Sequence, residues 1–587
     1  PTLDGLNPDI ILLNEEIGIQ IIDFEHKEKN PISRLRNIRE EILNYYIPQS
    51  SYKEMRRELI TICFADPFSQ KSEIQTKIDN WITFTNLQRT PKESNYFSII
   101  SKEDLANHDS EEVIKRVVPF SDFKRSKYMT KELANSLRYH LRTSDFILED
   151  LEPLKVNKLS GEQQNLILTR TPNGYRRIRG SSGSGKTLVL AGKAVDLYKQ
   201  GKSVLFLCFN KTLVNLVKSY YRRFLKGDEE LEFMVKRGRD EFHEPDFLHY
   251  HRYAKRTFFE SGMEDKWNNF FTSVKEDSKD KDDLVDEGTD MMSHALYDLT
   301  KKLSLIKKYD AILIDEGQDF LPEWWRAVRQ LLRDDGEAYF VIDEAQDLYD
   351  NREKWTDNAM NNSGFSGRPS LLKASYRLPT SYIPFMQNFM GSHKPLILGH
   401  DDLLEPEQPL QGALKLGGVE NCYLSWEKIE EDDKEVARQV GVHRCVELVS
   451  AILPKIVDSF SYDDITLICS THKSGRQIVE ALDERGIQSS HIFGDYKNQD
   501  ARKMNFTLTK EKIKISTVHS FKGFESPLIL YFLENMTPFE EAYTALTRLR
   551  LSQKNNSHIK VVCIDPRYHR YGKTWEPTKD SEWLKLD

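Results

Sequence analysis

The first pattern along the chain is a pair of short apolar runs split by acidic residues, Asp9–Leu13 and Gly18–Ile22. A charged helical stretch comes next, from Ser33 to about Tyr46, then a strand near Leu59–Phe64. Together they predict a small α/β unit over residues 1–125. A helical pattern rich in Lys, Arg and Leu over 126–157 connects this unit to the rest of the chain.

From Leu159 onward, apolar runs alternate with helical patterns: Ser203–Phe209, Tyr309–Ile314, Ala338–Ile342, Asp464–Cys469, Ile513–Val518, Pro527–Phe532 and Ile559–Ile564. Continuous apolar strands belong to parallel sheets covered by helices on both faces. The expectation is therefore two α/β cores, over 158–375 and 376–587. The interval from about 216 to 300 lacks such strands and carries the charged run Lys275–Asp283, which reads as a helical insertion with a solvated loop. No period of 20 to 50 residues repeats, which argues against a solenoid or propeller.

Composition changes this picture in two ways. With 84 Lys and Arg against 92 Asp and Glu, the net charge is −8, so bulk attraction cannot recruit a polyanion and any nucleic-acid contact must use local basic grooves. No stretch approaches the roughly 18 apolar residues of a membrane span. The six cysteines show no CxxC spacing, which argues for buried thiols in a reducing compartment and against zinc or iron–sulfur sites. The first residues, Pro1–Gly5, have no basic run leading into an apolar core, and the expected location is the cytoplasm.

The strongest chemical signal is Gly180-Ser181-Ser182-Gly183-Ser184-Gly185-Lys186-Thr187, which satisfies GxxxxGK[ST] and opens a helical pattern. Its glycines let backbone N–H groups wrap a β-phosphate, Lys186 neutralises the β/γ oxygens, and Thr187 can hold Mg²⁺. ATP and Mg²⁺ are the implied cofactors. The preceding strand, Tyr175–Arg179, is unusually basic for a central strand. A carboxylate for the metal and a base for water are offered twice, by Asp315-Glu316-Gly317-Gln318 and by Asp343-Glu344-Ala345-Gln346. Local sequence leaves both open.

The run from Leu159 to about Asp565 resembles the UvrD/PcrA/Rep branch of superfamily 1 DNA helicases, motif by motif and in order. That resemblance implies two RecA-like cores and assigns the roles. Gln163, in Leu159-Ser160-Gly161-Glu162-Gln163, would read adenine. Asp315 would hold Mg²⁺ and Glu316 would activate water, while Gln346 would sense the γ-phosphate. In Ser375-Tyr376-Arg377, Tyr376 would stack on the base and Arg377 touch the γ-phosphate. Glu525 would approach the ribose, and Arg548, in the motif from Ala542 to Arg548, would be an arginine finger. Single-strand contacts would come from Phe209, Asn210, Tyr250, His251, Trp355, Thr517 and His519, by stacking and phosphate contact. Two features depart from the pattern: Asn351 stands where the family has a base-stacking Trp, and about 45 residues between Cys469 and Ile515 leave no room for a large second-core insertion.

The N-terminal unit resembles a restriction-endonuclease-like core of the PD-(D/E)xK type, as in the nuclease-related domains fused to helicases. Two carboxylates would hold Mg²⁺ and a Lys orient water. The motif reads as Asp9, Glu25 and Lys27, or as Asp9, Asp23 and Glu25. Arg34, Arg36 and Arg39 on the next helix would contact phosphate. The resemblance implies a 3′ to 5′ motor on single-stranded or partly duplex DNA with a Mg²⁺-dependent nuclease, in repair or in anti-phage defence of the Nhi kind, with a protein partner in such a complex. Two alternatives stand beside it: a motor with an inactive docking domain, and an ATP-gated protein-binding scaffold.

Overall fold

The computed structural model describes part of residues 10–106, most of 153–393 and most of 421–571. In the N-terminal unit, β1 (Ile10–Asn14), β2 (Gly18–Phe24), β3 (Ile60–Asp66) and β4 (Phe97–Ser101) form one sheet in that order. β1 runs antiparallel to β2, and the other pairs are parallel. Ile19, Ile21, Ile60, Ile62 and Phe64 fill one face; Ile22, Cys63, Ala65 and Ile100 fill the other. Both faces are covered, as parallel strands require. Arg39 is not a phosphate contact: it is buried, and its Nε donates to the Ile60 carbonyl at 3.1 Å. Arg34 and Arg36 lie outside the described residues.

The first core is a parallel sheet of β5 (Tyr175–Gly180), β6 (Val204–Cys208), β7 (Asp246–His249), β8 (Tyr309–Ile314), β9 (Leu332–Ile342) and β10 (Ser370–Leu372), in the order β10-β5-β9-β8-β6-β7. Helices Gly161–Leu168, Lys186–Lys199 and Lys211–Gly227 pack on one face, and Tyr250–Glu260 and Pro322–Arg329 on the other. β7 corrects the expectation of a strandless interval. It is a short buried edge strand whose acid, Asp246, is paired with Lys307 at 2.8 Å; four residues with one charge leave no apolar run to read. The charged stretch 275–283 lies outside the described residues.

The basic character of β5 also has a structural reason. β5 is next to the sheet edge, and Arg176 lays its guanidinium 5.6 Å from the Tyr339 ring centroid while donating to Thr169 Oγ1 at 2.9 Å. Its charge is thus held by a π face and a hydroxyl.

The second core has β11 (Asn421–Lys428), β12 (Ile465–Cys469), β13 (Ser489–His491), β14 (Ile513–Thr517), β15 (Leu528–Leu533) and β16 (Asn556–Cys563), all parallel, in the order β11-β16-β15-β12-β14-β13. Its cluster of buried side chains begins at Leu378, so the chain crosses between cores just after β10. The six cysteines are thiols, five of them buried and Cys422 half-buried. Among the described residues no helix is long and apolar enough to cross a membrane.

Candidate functional site

Parallel α/β sheets bind ligands outside the carboxyl ends of their strands. β5 ends at Gly180, and the loop after it reaches helix Lys186–Lys199 through Gly183 and Gly185, both left-handed at φ 81° and 83°. A Cβ on Gly183 would lie 2.6 Å from the Cβ of Arg377, so glycine is needed there for conformation and for close approach. Lys186 Nζ donates to the Gly180 carbonyl at 2.8 Å and pairs with buried Asp343 at 3.0 Å. That carboxylate holds the ammonium at the mouth of the loop, where it would meet phosphate oxygens.

β8, in the middle of the sheet, delivers the carboxylates. Thr187 Oγ1 donates to Asp315 Oδ2 at 2.7 Å. These two hard oxygen donors fit Mg²⁺, which takes few protein ligands and completes its shell with phosphate and water; bound there, the ion would neutralise phosphate charge. Burial first, then the neighbouring Glu316 charge, raises the Asp315 carboxyl to about 7. Glu316 is left-handed at φ 51°, a conformation that costs a non-glycine residue energy and is held only when its surroundings enforce it. Its backbone N–H donates to Asp315 Oδ1 at 2.9 Å, and its carboxylate accepts from Gln318 Nε2 at 2.6 Å. Gln318 Oε1 in turn accepts from Asp343 N at 2.9 Å, tying the end of β8 to the end of β9. Burial raises the Glu316 carboxyl, but Lys522, Lys186 and Arg548 outweigh it and hold the group below its ordinary value.

The second core closes the site. Arg377 NH1 and Arg548 NH2 each donate to the Ser182 hydroxyl at 3.1 Å. Arg377 Nε also pairs with Glu525 at 2.7 Å. Burial, then the adjacent Arg377, lowers the Arg548 guanidinium to about 9. The cavity between the cores holds about 570 Å³ and is lined by Lys186, Glu316, Asp343, Arg377, Glu525 and Arg548, together with Leu159, Leu188, Tyr220 and Arg223.

Several expected roles change. Gln163 is buried with its amide already committed: Nε2 donates to the Ser184 carbonyl at 3.0 Å, and Oε1 accepts from Ser160 N in a capping box. It braces the phosphate loop and lines the cavity between the cores. Tyr250 has no open face; it is fully buried and stacked on Trp324 at 4.3 Å and 9°, with its hydroxyl on Ser293. Thr517 is buried and caps the turn Val518–Phe521. Asn210 spends its amide on the carbonyls of His519 and Lys522, at 3.1 and 3.2 Å. Phe209, His251 and His519 remain partly exposed, although Phe209 stacks on Trp324 at 5.5 Å. Trp324 supplies the aromatic partner that short-range reading of the motifs missed, because it arrives from a different helix.

Ser181, Gln346, Trp355 and Tyr376 lie outside the described residues, as do Asp9, Glu25 and Lys27. Asp23 stands near the end of β2, in register with Phe64. Sequence reading also gave no role to Tyr220, Arg223, Asp319 or Lys522. Lys522 lies three residues before Glu525 but points at partners that no local spacing reveals.

Residues 155–362 match the family described as Type III restriction enzyme, res subunit. No curated protein matches the chain. The first core is a helicase-like P-loop domain, of the kind that supports ATP-dependent helicase or translocase activity.

Proposed function

We propose that the chain is an ATP-driven motor of the UvrD-like type on single-stranded DNA, moving 3′ to 5′, with the N-terminal unit as a Mg²⁺-dependent nuclease in anti-phage defence or repair. The observation that carries the motor is the shared Ser182 hydroxyl, which receives Arg377 and Arg548 from across the cleft. Hydrolysis then requires both cores to close on one nucleotide, because the arginines stabilise transition-state charge only from there. Residues 158–375 and 376–587 are the two cores in this reading, with Thr187 and Asp315 on Mg²⁺, and Phe209, His251 and His519 nearest the strand. The nuclease rests on the motif read as Asp9, Glu25 and Lys27 or as Asp9, Asp23 and Glu25, of which Asp23 lies on β2 beside parallel β3.

The experiment is steady-state ATP hydrolysis by the full chain with single-stranded DNA, RNA or neither, alongside metal-dependent nicking of plasmid DNA. Strand-stimulated hydrolysis lost in Arg548→Ala supports the motor. Hydrolysis indifferent to any strand sinks it and favours an ATP-gated scaffold. Nicking abolished by Asp9→Ala and Glu25→Ala supports the nuclease; its absence in the wild type leaves the N-terminal unit as a docking domain.

A further inference from the structure

Lys522 belongs to the second core, yet its ammonium is buried in the first. Its side chain is 1% exposed, and Nζ donates to both oxygens of Asp319, at 2.9 and 2.8 Å, and lies 3.5 Å from Glu316 Oε2. Asp319 ends the 3-10 turn that follows Glu316 and is itself fully buried. The turn that presents Lys522 is gripped by the first core from the other side: Asn210 donates to the carbonyls of His519 and Lys522, and Thr212 Oγ1 donates to that of Ser520 at 2.7 Å. Gly523 comes next at φ 91°, and a Cβ there would lie 2.6 Å from Leu213 Cδ1, so the turn sits directly on helix Lys211–Gly227.

From this geometry we infer that Lys522 is a positioning residue for water activation. It fixes the Glu316 carboxylate from the second core, independently of the two arginines, and so makes the base itself sensitive to inter-core register. The inference rests on the reading of the cleft as a nucleotide-hydrolysing site. Three groups converge on Glu316. Gln318 comes from its own turn, Asp315 from its own strand, and Lys522 from the facing core. Glu316 holds a strained backbone conformation, which such over-determination maintains. Of the three, only Lys522 moves with the second core. Asp319 aims the ammonium, since two short bonds fix Nζ where the third contact reaches Glu316. The same short segment runs on to Glu525, the Arg377 partner, so one turn of chain carries the register to both the base and a γ-phosphate arginine.

A buried ion pair also stabilises the fold, and the test must separate the two roles. Removing one partner strands a buried charge, whereas removing both relieves it. The full-length chain is compared with Lys522→Met and with the double variant Lys522→Met/Asp319→Asn. Measured for each are thermal midpoint, kcat and KM for ATP, and affinity for a fluorescent ADP analogue. Lys522→Met is expected to lose stability. The double variant is expected to regain it and to bind the ADP analogue as the wild type does. Its kcat is expected to stay depressed on the order of ten- to a hundredfold, part of the roughly 10²–10⁴ that a positioned base contributes. A double variant that recovers both stability and wild-type kcat shows the pair to be structural and overturns the inference. A wild type that hydrolyses no nucleotide overturns the proposed function, and the inference falls with it.

Discussion

The Arg548 guanidinium donates to the Ser182 hydroxyl at 3.1 Å, across 366 positions of sequence and from one core to the other. Arg377 meets the same oxygen. A single hydroxyl on the phosphate loop thus marks where two cationic groups converge.

Arg548→Ala is predicted to abolish turnover while retaining nucleotide binding. An arginine finger contributes roughly 10³–10⁵ to phosphoryl transfer, so kcat should fall by about a thousandfold or more. KM or ADP affinity should change far less, because Lys186 and the loop N–H groups remain. A fall in affinity as large as the fall in kcat would contradict a role confined to the transition state.

Lys186→Ala has two expected effects. Hydrolysis is lost with the phosphate contact. Stability also drops, since Asp343 is 2% exposed and loses its ammonium partner; breaking a buried pair from one side costs about 3–5 kcal/mol. A thermal melt checks this, and Lys186→Ala/Asp343→Asn should recover most of the midpoint without recovering hydrolysis.

Tyr220 and Arg223 line the cavity beside Leu159 and Leu188, where a base has apolar walls and a ring to meet. Aromatic contact with a base is worth on the order of 1–3 kcal/mol, so Tyr220→Ala should raise KM for ATP roughly fivefold or more. Hydrolysis of inorganic tripolyphosphate, which has no base, should be unchanged. Equal losses for both substrates would place Tyr220 elsewhere in the mechanism.

Tyr250 gives a prediction against its reading as a single-strand contact. Its ring is buried on Trp324, so Tyr250→Phe should leave single-strand affinity unchanged. Tyr250→Ala should cost about 3–5 kcal/mol of stability, as large-to-small aromatic changes do in cores. Fluorescence anisotropy with a labelled oligonucleotide and a urea melt measure the two effects separately.

His558, on β16, makes the second core sensitive to acid. It is 6% exposed and stacked on Tyr423 at 4.6 Å, and burial lowers its imidazole from 6.5 to about 4. Between those values the unfolded chain binds the proton and the folded chain does not, so stability falls as pH drops from 6.5 to 4, by up to about 3 kcal/mol. His558→Phe keeps the stack and should flatten the decline of the thermal midpoint over that window.

Not every strand or role was legible in the chain. β8, β12 and β15 stand out because they are almost wholly buried and therefore mostly apolar, with Asp310 in β8 and Thr466 in β12 as the polar exceptions. β7, β10 and β13 are only three or four residues long and lie at sheet edges, and β11 mixes polar and apolar positions at an edge. Tyr250 looked like a ligand contact by motif, and packing gave it a protein partner instead.

The sequence by itself determined the phosphate loop, because a P-loop is eight contiguous residues whose glycines and lysine act through local backbone geometry. It also determined the parallel α/β character, because burial on both faces dictates composition strand by strand. Only the tertiary structure decided which side chains share a hydroxyl at Ser182, that Asp343 pairs with Lys186, and that Lys522 reaches Asp319 from 203 positions away. Those contacts lie between strands and between cores. Their geometry is set by sheet order and by how two surfaces meet, and local spacing carries no record of either.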